Sequence, residues 1–597
     1  MGTSVAKTAG VGAASQSSSP VLITSQPGRL QLGLGLGFVT LIYLLLVFFT
    51  KPIIWGDTIV YALQISRYPQ GLTKPGEFWD FAHLFWRPLN YAFWHIGQSH
   101  WAQEFPNSPV LQLFAAMCVF NIIIDYLVAL ASFGVAWKIS RSVVTGALMT
   151  AAFLCWNPFL NYFQTGSAYA PGLGLLLAAT YLLLPSSGPY SRGRAWLAGL
   201  LLALAVCLWL PYLFAIPGVL LLGYLWSEPG TASSGQRNAE RVGWLAQVVL
   251  ACALVGFLSY AVGTVLAGVR SAADLKTWVA EAGHGYQPQK KYLRVATGMP
   301  RGMIELDKTG IELKRLLLKD PYNPVSVRDV MHTSLWKLGL FYTGMAWLVW
   351  LLARDKEAWM VLLPFLLTVG LMLFLALVLF EPGQPERWMP GYPIVLAAVA
   401  FAFRAPKALS WRTIPLALFL AVIAANNVMA YATSGEPGAD NATVARMMAI
   451  KPVLRPNSMV TLVSINDGIT GFFGRFPFHP LNPLNSSETM QFYFLTEASN
   501  ANSATWPQRF ATHALEAWQN NGDVWISKRV LASRPLVDWD WVEGDDRYLR
   551  WRDISTFFAP FTFDGDVGGA DGFVRIAHVP ENQQRVQQAV GSSEQKQ

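Results

Sequence analysis

The chain has 597 residues, 53% hydrophobic and only 13% charged, with a mean hydropathy of +0.34; soluble proteins carry roughly 25% charged residues, so an ordinary soluble domain is excluded. Repeated apolar runs of about 20 residues indicate a polytopic membrane protein instead. The net charge of +8 is explained by cytoplasmic loops and anionic lipid, so no nucleic-acid partner is inferred.

Residues 1–29 are rich in Ala, Ser and Gly with no apolar core of their own. They read as a disordered cytoplasmic tail ahead of an uncleaved first helix. Apolar spans are predicted near 30–50, 109–137, 142–160, 168–186, 195–209, 211–226, 244–268, 335–353, 358–380, 391–404 and 413–432. The stretch 195–226 is about 32 residues, too long for one untilted span. Pro211 and Pro217 break it, so it is read as two short spans. Basic residues support this division. With the N-terminus inside, Lys138, Arg141, Arg192, Arg194, Arg237, Arg241, Arg354, Lys356, Arg404, Lys407 and Arg412 all fall in inner loops. The expected fold is a polytopic α-helical membrane protein of about 11 transmembrane helices. Its membrane domain covers 30–432, and the C-terminus lies outside.

Three pieces then share the outer face: 51–108, 269–334 and everything after Tyr431. In the first, Ile59, Ala62, Leu63 and Ile65 suit a short amphipathic helix. A second such pattern, Leu89 to Ile96, includes Tyr91, Phe93 and Trp94. Aromatic-faced amphipathic helices lie flat at the interface, so this loop is expected to stay on the membrane. The tail shows a helical pattern from Asn441 to Ile450 and β-like runs at Met459–Ile465 and Asp523–Leu531. These indicate an extracytoplasmic α/β domain over 433–580, with 581–597 disordered.

Several features carry a bland reading. The run Gly33 to Phe38, GLGLGF, sits inside an apolar span, where small residues let helices pack closely. Asn441 and Asn485 head sequons that matter only in a eukaryotic host. Cys118, Cys155, Cys207 and Cys252 lie in apolar runs and indicate neither a disulfide framework nor a metal knuckle. Asp125 lies at mid-membrane depth, where an acid is either functional or an interhelical hydrogen-bond partner; the second is expected. Asp57 follows the first span by a few residues, just ahead of a helical pattern. It suits an N-cap, a catalytic carboxylate, or both.

Three stretches together resemble the GT-C class of integral-membrane glycosyltransferases, which includes protein O-mannosyltransferases and lipid A aminoarabinose transferases. WGDTIVYALQI, from Trp55, resembles the catalytic-acid segment. AHLFWRPLNYAF, from Ala82, resembles the segment where a basic residue precedes Pro-Leu. EPGQPERWMPGYPIVLAA, from Glu381, resembles the Arg-aromatic approach to a late helix. The likeness covers roughly residues 30–430. It implies a GT-C-like helix arrangement with interfacial helices in the first outer loop. It also implies a polyprenyl-phosphate-linked sugar donor, and an acceptor that is a glycan, lipid or protein. Some members have two adjacent acids at the first motif; here Asp57 stands alone, so no metal and no cofactor are expected.

That resemblance implies chemistry which the residue types can perform. A carboxylate at an apolar rim takes the acceptor proton, a role assigned to Asp57. The leaving phosphate needs cationic donors, for which Arg87, Arg387, and Lys290, Lys291 and Arg294 are candidates. His83 is a phosphate ligand or orients Asp57, and Glu386 beside Arg387 is placed at the same donor site. The bland alternative for the arginines is snorkelling to head groups. Transferase action at the outer face of a bacterial inner membrane is the expected function. The alternatives are a transporter or flippase of lipid-linked sugars, and a non-catalytic assembly factor. An enzyme brings Asp57, His83, Arg87 and Arg387 to one outer-facing pocket that opens sideways to lipid.

Overall fold

The computed structural model describes residues 28–50, 56–104, 109–185, 191–226, 234–282, 291–306, 325–379, 382–404, 410–433, 449–462, 491–494, 506–532 and 551–591, with Leu313 and Leu316. Helix α1 (Arg29–Phe49) is followed by α2 (Gly56–Arg67), α3 (Trp86–Ile96) and α4 (Gln98–Glu104) of the opening loop. The bundle continues with α5 (Pro109–Ser140), α6 (Val143–Leu154), α7 (Asn157–Tyr162), α8 (Tyr169–Leu183), α9 (Arg192–Leu208), α10 (Ile216–Leu225) and α11 (Ser234–Leu266). Two helices of the loop after α11, α12 (Ala272–Ala282) and α13 (Lys291–Arg301), precede α14 (Trp336–Ala353), α15 (Trp359–Phe374), α16 (Tyr392–Ala402) and α17 (Ile414–Thr433).

Every predicted apolar run falls on a helix, but the runs are not eleven equal spans. Among the described residues, six helices are long and apolar enough to cross a membrane. Others are short or broken, each for a local reason. The run 142–160 divides because Trp156 is extended and Pro158 starts a new turn, α7. The run 195–226 divides as expected. Trp209 is extended, and Pro211 opens a 3-10 stretch, Leu210–Ala215, between α9 and α10. The late helix α16 is entered through a 3-10 segment, Pro385–Gly391.

The tail forms one five-stranded sheet of β1 (Met459–Leu462), β2 (Gln491–Phe494), β3 (Val524–Ser527), β4 (Phe563–Val567) and β5 (Phe573–Ile576), in the order β2-β1-β3-β5-β4. β1 is parallel to β2 and β3; β5 is antiparallel to β3 and β4. Alternation of side chains gives the sheet two working faces. Met459, Val524, Ile526 and Ile576 pack with α18 (Trp506–Gln519) and α20 (Pro580–Gly591), while α19 (Trp551–Phe558) adds Ile554 and Phe558 to that core. Val460, Leu462, Trp525 and Phe573 belong instead to a cluster shared with Tyr61, Ile65, Phe78, Trp86 and Trp94 of the opening loop.

The tail therefore sits on the opening loop. The loop after α11 sits there too, since Trp278 Nε1 donates to Trp79 O at 2.9 Å. The opening loop, the loop after α11 and the tail share one face of the bundle.

Two tail expectations are corrected. Residues 581–597 are not disordered from their start, because α20 runs to Gly591 and buries Asn582 and Val586; 592–597 lie outside the described residues. The run Asp523–Leu531 is a strand only to Ser527. There the Ser527 hydroxyl accepts Arg529 N at 3.2 Å and caps a helical turn, Lys528–Leu531. Of the pattern Asn441–Ile450, only residues 449–450 are described.

Candidate functional site

The site is built first from a tight turn between α2 and α3. Asp80 caps it, its Oδ1 accepting Ala82 N at 3.0 Å. Its other oxygen, Oδ2, lies 3.1 Å from His83 Nδ1 and accepts Arg87 Nη1 at 3.0 Å. Arg87 is anchored again from α2. Its Nε donates to Gln64 Oε1 at 2.7 Å and its guanidinium lies 4.4 Å from the Tyr61 ring centre. His83 and Arg87 are each only 5% exposed. Burial pushes the Asp80 carboxyl up. The hydrogen bond and charge of His83, the charge of Arg87 and the Ala82 amide outweigh it and hold Asp80 well below the usual carboxylate range.

The start of α2 reaches the same place. Thr58 is buried, and a Cβ on Gly166 would lie 2.7 Å from Thr58 Cγ2, so the loop before α8 approaches α2 closely only because 166 is glycine. Trp86 Nε1 donates to Gly166 O at 2.9 Å, tying α3 to that loop. Asp57 is the second residue of α2, in its first turn and not ahead of it as a cap would be. Its side chain lies outside the described residues.

The second half comes from about 300 residues later. Glu386, buried in the 3-10 segment before α16, accepts Tyr162 Oη at 2.6 Å. Arg387 Nε lies 3.6 Å from Glu386 Oε1, and its guanidinium carbon is 5.8 Å from the Trp209 ring centre. An aromatic wall joins the two halves. Tyr169 is 6.1 Å from the His83 ring, 4.9 Å from Tyr162 and 4.8 Å from Trp209. His83, Arg87, Glu386 and Arg387, chosen from separate motifs, thus meet around one wall.

The basic group on α13 is reached only in part. Lys290 and the side chain of Lys291 lie outside the described residues. Arg294 is half-buried on a helix that packs against the Arg387 segment. Arg301 Nη1 donates to Gly383 O at 2.8 Å, and Val295 and Met299 pack with Trp388.

Beside the wall, α9, α11, α12 and the turn at Leu210 enclose an apolar cavity of about 380 Å³. Phe81, Leu210, Phe257, Tyr260 and Trp278 are among its lining. Phe81 is two residues from His83, and Leu210 follows Trp209. Phe257 is 73% exposed, so the cavity opens sideways between helices whose outer surface is apolar.

Asp80, Tyr61, Gln64, Tyr162, Tyr169 and Trp209 escaped the sequence reading. Only Asp80 left a signal there: an acid just ahead of a turn, three residues before His83 and seven before Arg87. Asp125 corrects another expectation. It is fully buried, yet neither carboxyl oxygen has a hydrogen-bond partner among the described residues, so it is not the interhelical partner expected. No group of three metal-ligating side chains occurs among the described residues.

No family model matches the chain, and no curated protein does. Among solved structures, it is similar to ArnT from Cupriavidus metallidurans bound to undecaprenyl phosphate, at 12% identity and a TM-score of 0.45, over 93% of this chain and 99% of that one. It is also similar to the oligosaccharyltransferase of Archaeoglobus fulgidus, at 14% identity and a TM-score of 0.44, over 90% of this chain and 73% of that one. The same enzyme, AglB, in complex with an inhibitory peptide and a dolichol-phosphate matches at 13% identity and a TM-score of 0.40, over 92% and 74% of the two chains. Both proteins are of the GT-C kind that the motifs resemble. At such scores the likeness is one of chain path, and nothing about the site rests on it.

Proposed function

We propose that this chain is a membrane glycosyltransferase that moves a sugar from a polyprenyl-phosphate donor to an acceptor at the outer face. One observation carries the reading. Two cationic clusters, remote in sequence, meet around one aromatic wall beside an apolar cavity that opens towards lipid. A lipid-linked anion needs that combination: a groove for the isoprenoid and fixed cations for the phosphate. A soluble sugar phosphate would not need the lateral opening.

In this reading the isoprenoid lies along Phe257 and Leu210, and the phosphate faces Arg87, His83 and Arg387. The sugar stacks on Tyr169 and Trp209. Asp57, at the start of α2, takes the proton of the acceptor hydroxyl as that oxygen attacks the anomeric carbon. Arg294, with Lys290 and Lys291, contributes to the phosphate field from α13. No metal is assigned a role. The membrane is the bacterial inner membrane, with the N-terminus cytoplasmic and the tail domain outside.

The test uses full-length protein in liposomes with undecaprenyl-phosphate-linked hexoses and pentoses. Asp57→Asn keeps the size of the side chain and removes only its charge, so the variant inserts normally and loses transfer by roughly 10²-fold or more. Full transfer by a well-expressed Asp57→Asn variant refutes the base assignment. Cysteines introduced in the tail domain label from outside intact cells; protection until lysis refutes the orientation.

A further inference from the structure

His83 is buried, yet its Nε2 has no hydrogen-bond partner among the described residues. Its Nδ1 points at Asp80 Oδ2, 3.1 Å away, and that same oxygen takes the 3.0 Å hydrogen bond from Arg87. A buried polar atom left unmatched forfeits its hydration without compensation. A lone imidazole turned into an apolar wall is therefore a poor packing solution. An imidazole with one nitrogen fixed by a carboxylate and the other open to a ligand is a familiar proton-transfer arrangement.

The charges around it are few. Asp80 and Arg87 come from its own segment and offset each other. Tyr61 faces it from α2, where Gln64 holds Arg87 and Asp57 lies in the first turn, and Tyr169 faces it from α8. Behind it, Cys207 O of α9 accepts Phe85 N, and Tyr260 Oη of α11 donates to Phe81 O. With the imidazole protonated, the group carries one net positive charge towards the place where the phosphate departs.

We propose that the Asp80–His83 pair is the general acid for departure of the polyprenyl phosphate, a role that rests on the transferase reading above. The bond between the anomeric carbon and the phosphate oxygen breaks, and its electron pair stays on that oxygen. The Nε2 proton passes to the phosphate and leaves a neutral imidazole. The acceptor oxygen bonds the anomeric carbon and gives its proton to Asp57. Water then reprotonates His83 and deprotonates Asp57. His83 is the catalytic residue. Asp80 is a positioning residue that fixes the ring and stabilises the imidazolium, and Arg87 keeps Asp80 ionised.

The experiment compares wild type, His83→Gln, Asp80→Asn and Asp57→Asn, each full length in nanodiscs. It reads kcat, KM and pH dependence with the undecaprenyl-phosphate-linked sugar that the wild type consumes, and the affinity for undecaprenyl phosphate itself. His83→Gln keeps a donor in the same place. It should lower kcat about 10²-fold while KM and undecaprenyl phosphate affinity change less than about threefold. It should also abolish the fall in wild-type activity at alkaline pH. Asp80→Asn should move that fall to lower pH, because the imidazolium loses its carboxylate; a purely structural role would not move it. Full kcat in His83→Gln overturns the proposal. So does a loss confined to KM with an unchanged pH profile, which makes His83 a phosphate ligand only. If Asp57→Asn alone loses transfer, the transferase reading stands and the acid falls. If the wild type consumes none of these donors, both fall together.

Discussion

Two of the buried polar clusters among the described residues are completed differently. One gathers at Asn427 of α17. Its Oδ1 accepts Glu305 N at 2.7 Å and Asn426 Nδ2 at 3.0 Å, and its Nδ2 donates to Met303 O at 2.7 Å and Cys155 O at 2.9 Å. Asn157 beside it donates to Arg301 O at 2.8 Å and accepts Tyr431 Oη at 2.6 Å. Every hydrogen-bonding position of the Asn427 amide is used. The other cluster gathers at Asp80, where both carboxylate oxygens have partners but His83 Nε2 is left open. A closed network fixes the chain: this one pins the 301–305 turn and, through it, the α13 helix against the Arg387 segment. An open network holds a group ready for something that arrives later.

The contrast can be broken most forcefully at Asn427. Asn427→Ala removes four hydrogen bonds and strands buried partners, so it should lower stability by about 4 kcal/mol. That is read as a fall in the thermal midpoint in detergent. Transfer per folded molecule should stay near wild type; a variant with normal stability and no transfer would place Asn427 in the site and erase the distinction.

The next effect is at Arg87. Arg87→Ala removes a phosphate donor and strips Asp80 of its cation. Loss of transfer by about 10²-fold, about 3 kcal/mol, is expected. Lys restores it only in part, since it cannot hold Gln64 and Asp80 in one fork. Normal turnover in Arg87→Ala would return Arg87 to a purely structural role.

Tyr162→Phe is milder and sharpens the link between the two halves. It removes only the hydroxyl that holds Glu386. KM for the donor should rise about tenfold, for about 1.5 kcal/mol, with stability little altered. An unchanged KM would mean that Glu386 does not set Arg387.

The last expectation concerns Asp80 and acid. Its folded-state carboxyl titrates below its ordinary range. Its contribution to stability is therefore complete above the unfolded value of roughly 3.9 and is lost as pH falls below it. Asp80→Asn should unfold with less acid dependence than wild type below about pH 4. Parallel acid-unfolding curves would show that Asp80 is not held by His83 and Arg87 in solution.

Much of this arrangement was legible along the chain. Apolar runs located the helices because a 20-residue window in lipid leaves little choice of structure. Pro211 marked the break between α9 and α10, since its ring cannot continue a helix. His83, Arg87, Glu386 and Arg387 were picked out only through the resemblance of three short motifs, which does not say how those side chains meet. The tail helix α20 was not legible. Its sequence, PENQQRVQQAVG, is polar, and it is helical because Val586 finds the core beside Phe510 and Trp518.

What the sequence by itself determined was therefore the class of solvent around each segment and the kinds of charge available. Composition and periodicity suffice for both. What the tertiary structure alone decided was which of those charges meet. Asp80 takes its meaning from two partners that a tight turn brings to one oxygen, and Glu386, beside Arg387, from a Tyr162 hydroxyl more than 220 residues away. The open nitrogen of His83 is visible only once the whole wall around it is in place. Hydrogen bonds are satisfied or left open in three dimensions, and spacing along a chain does not count them.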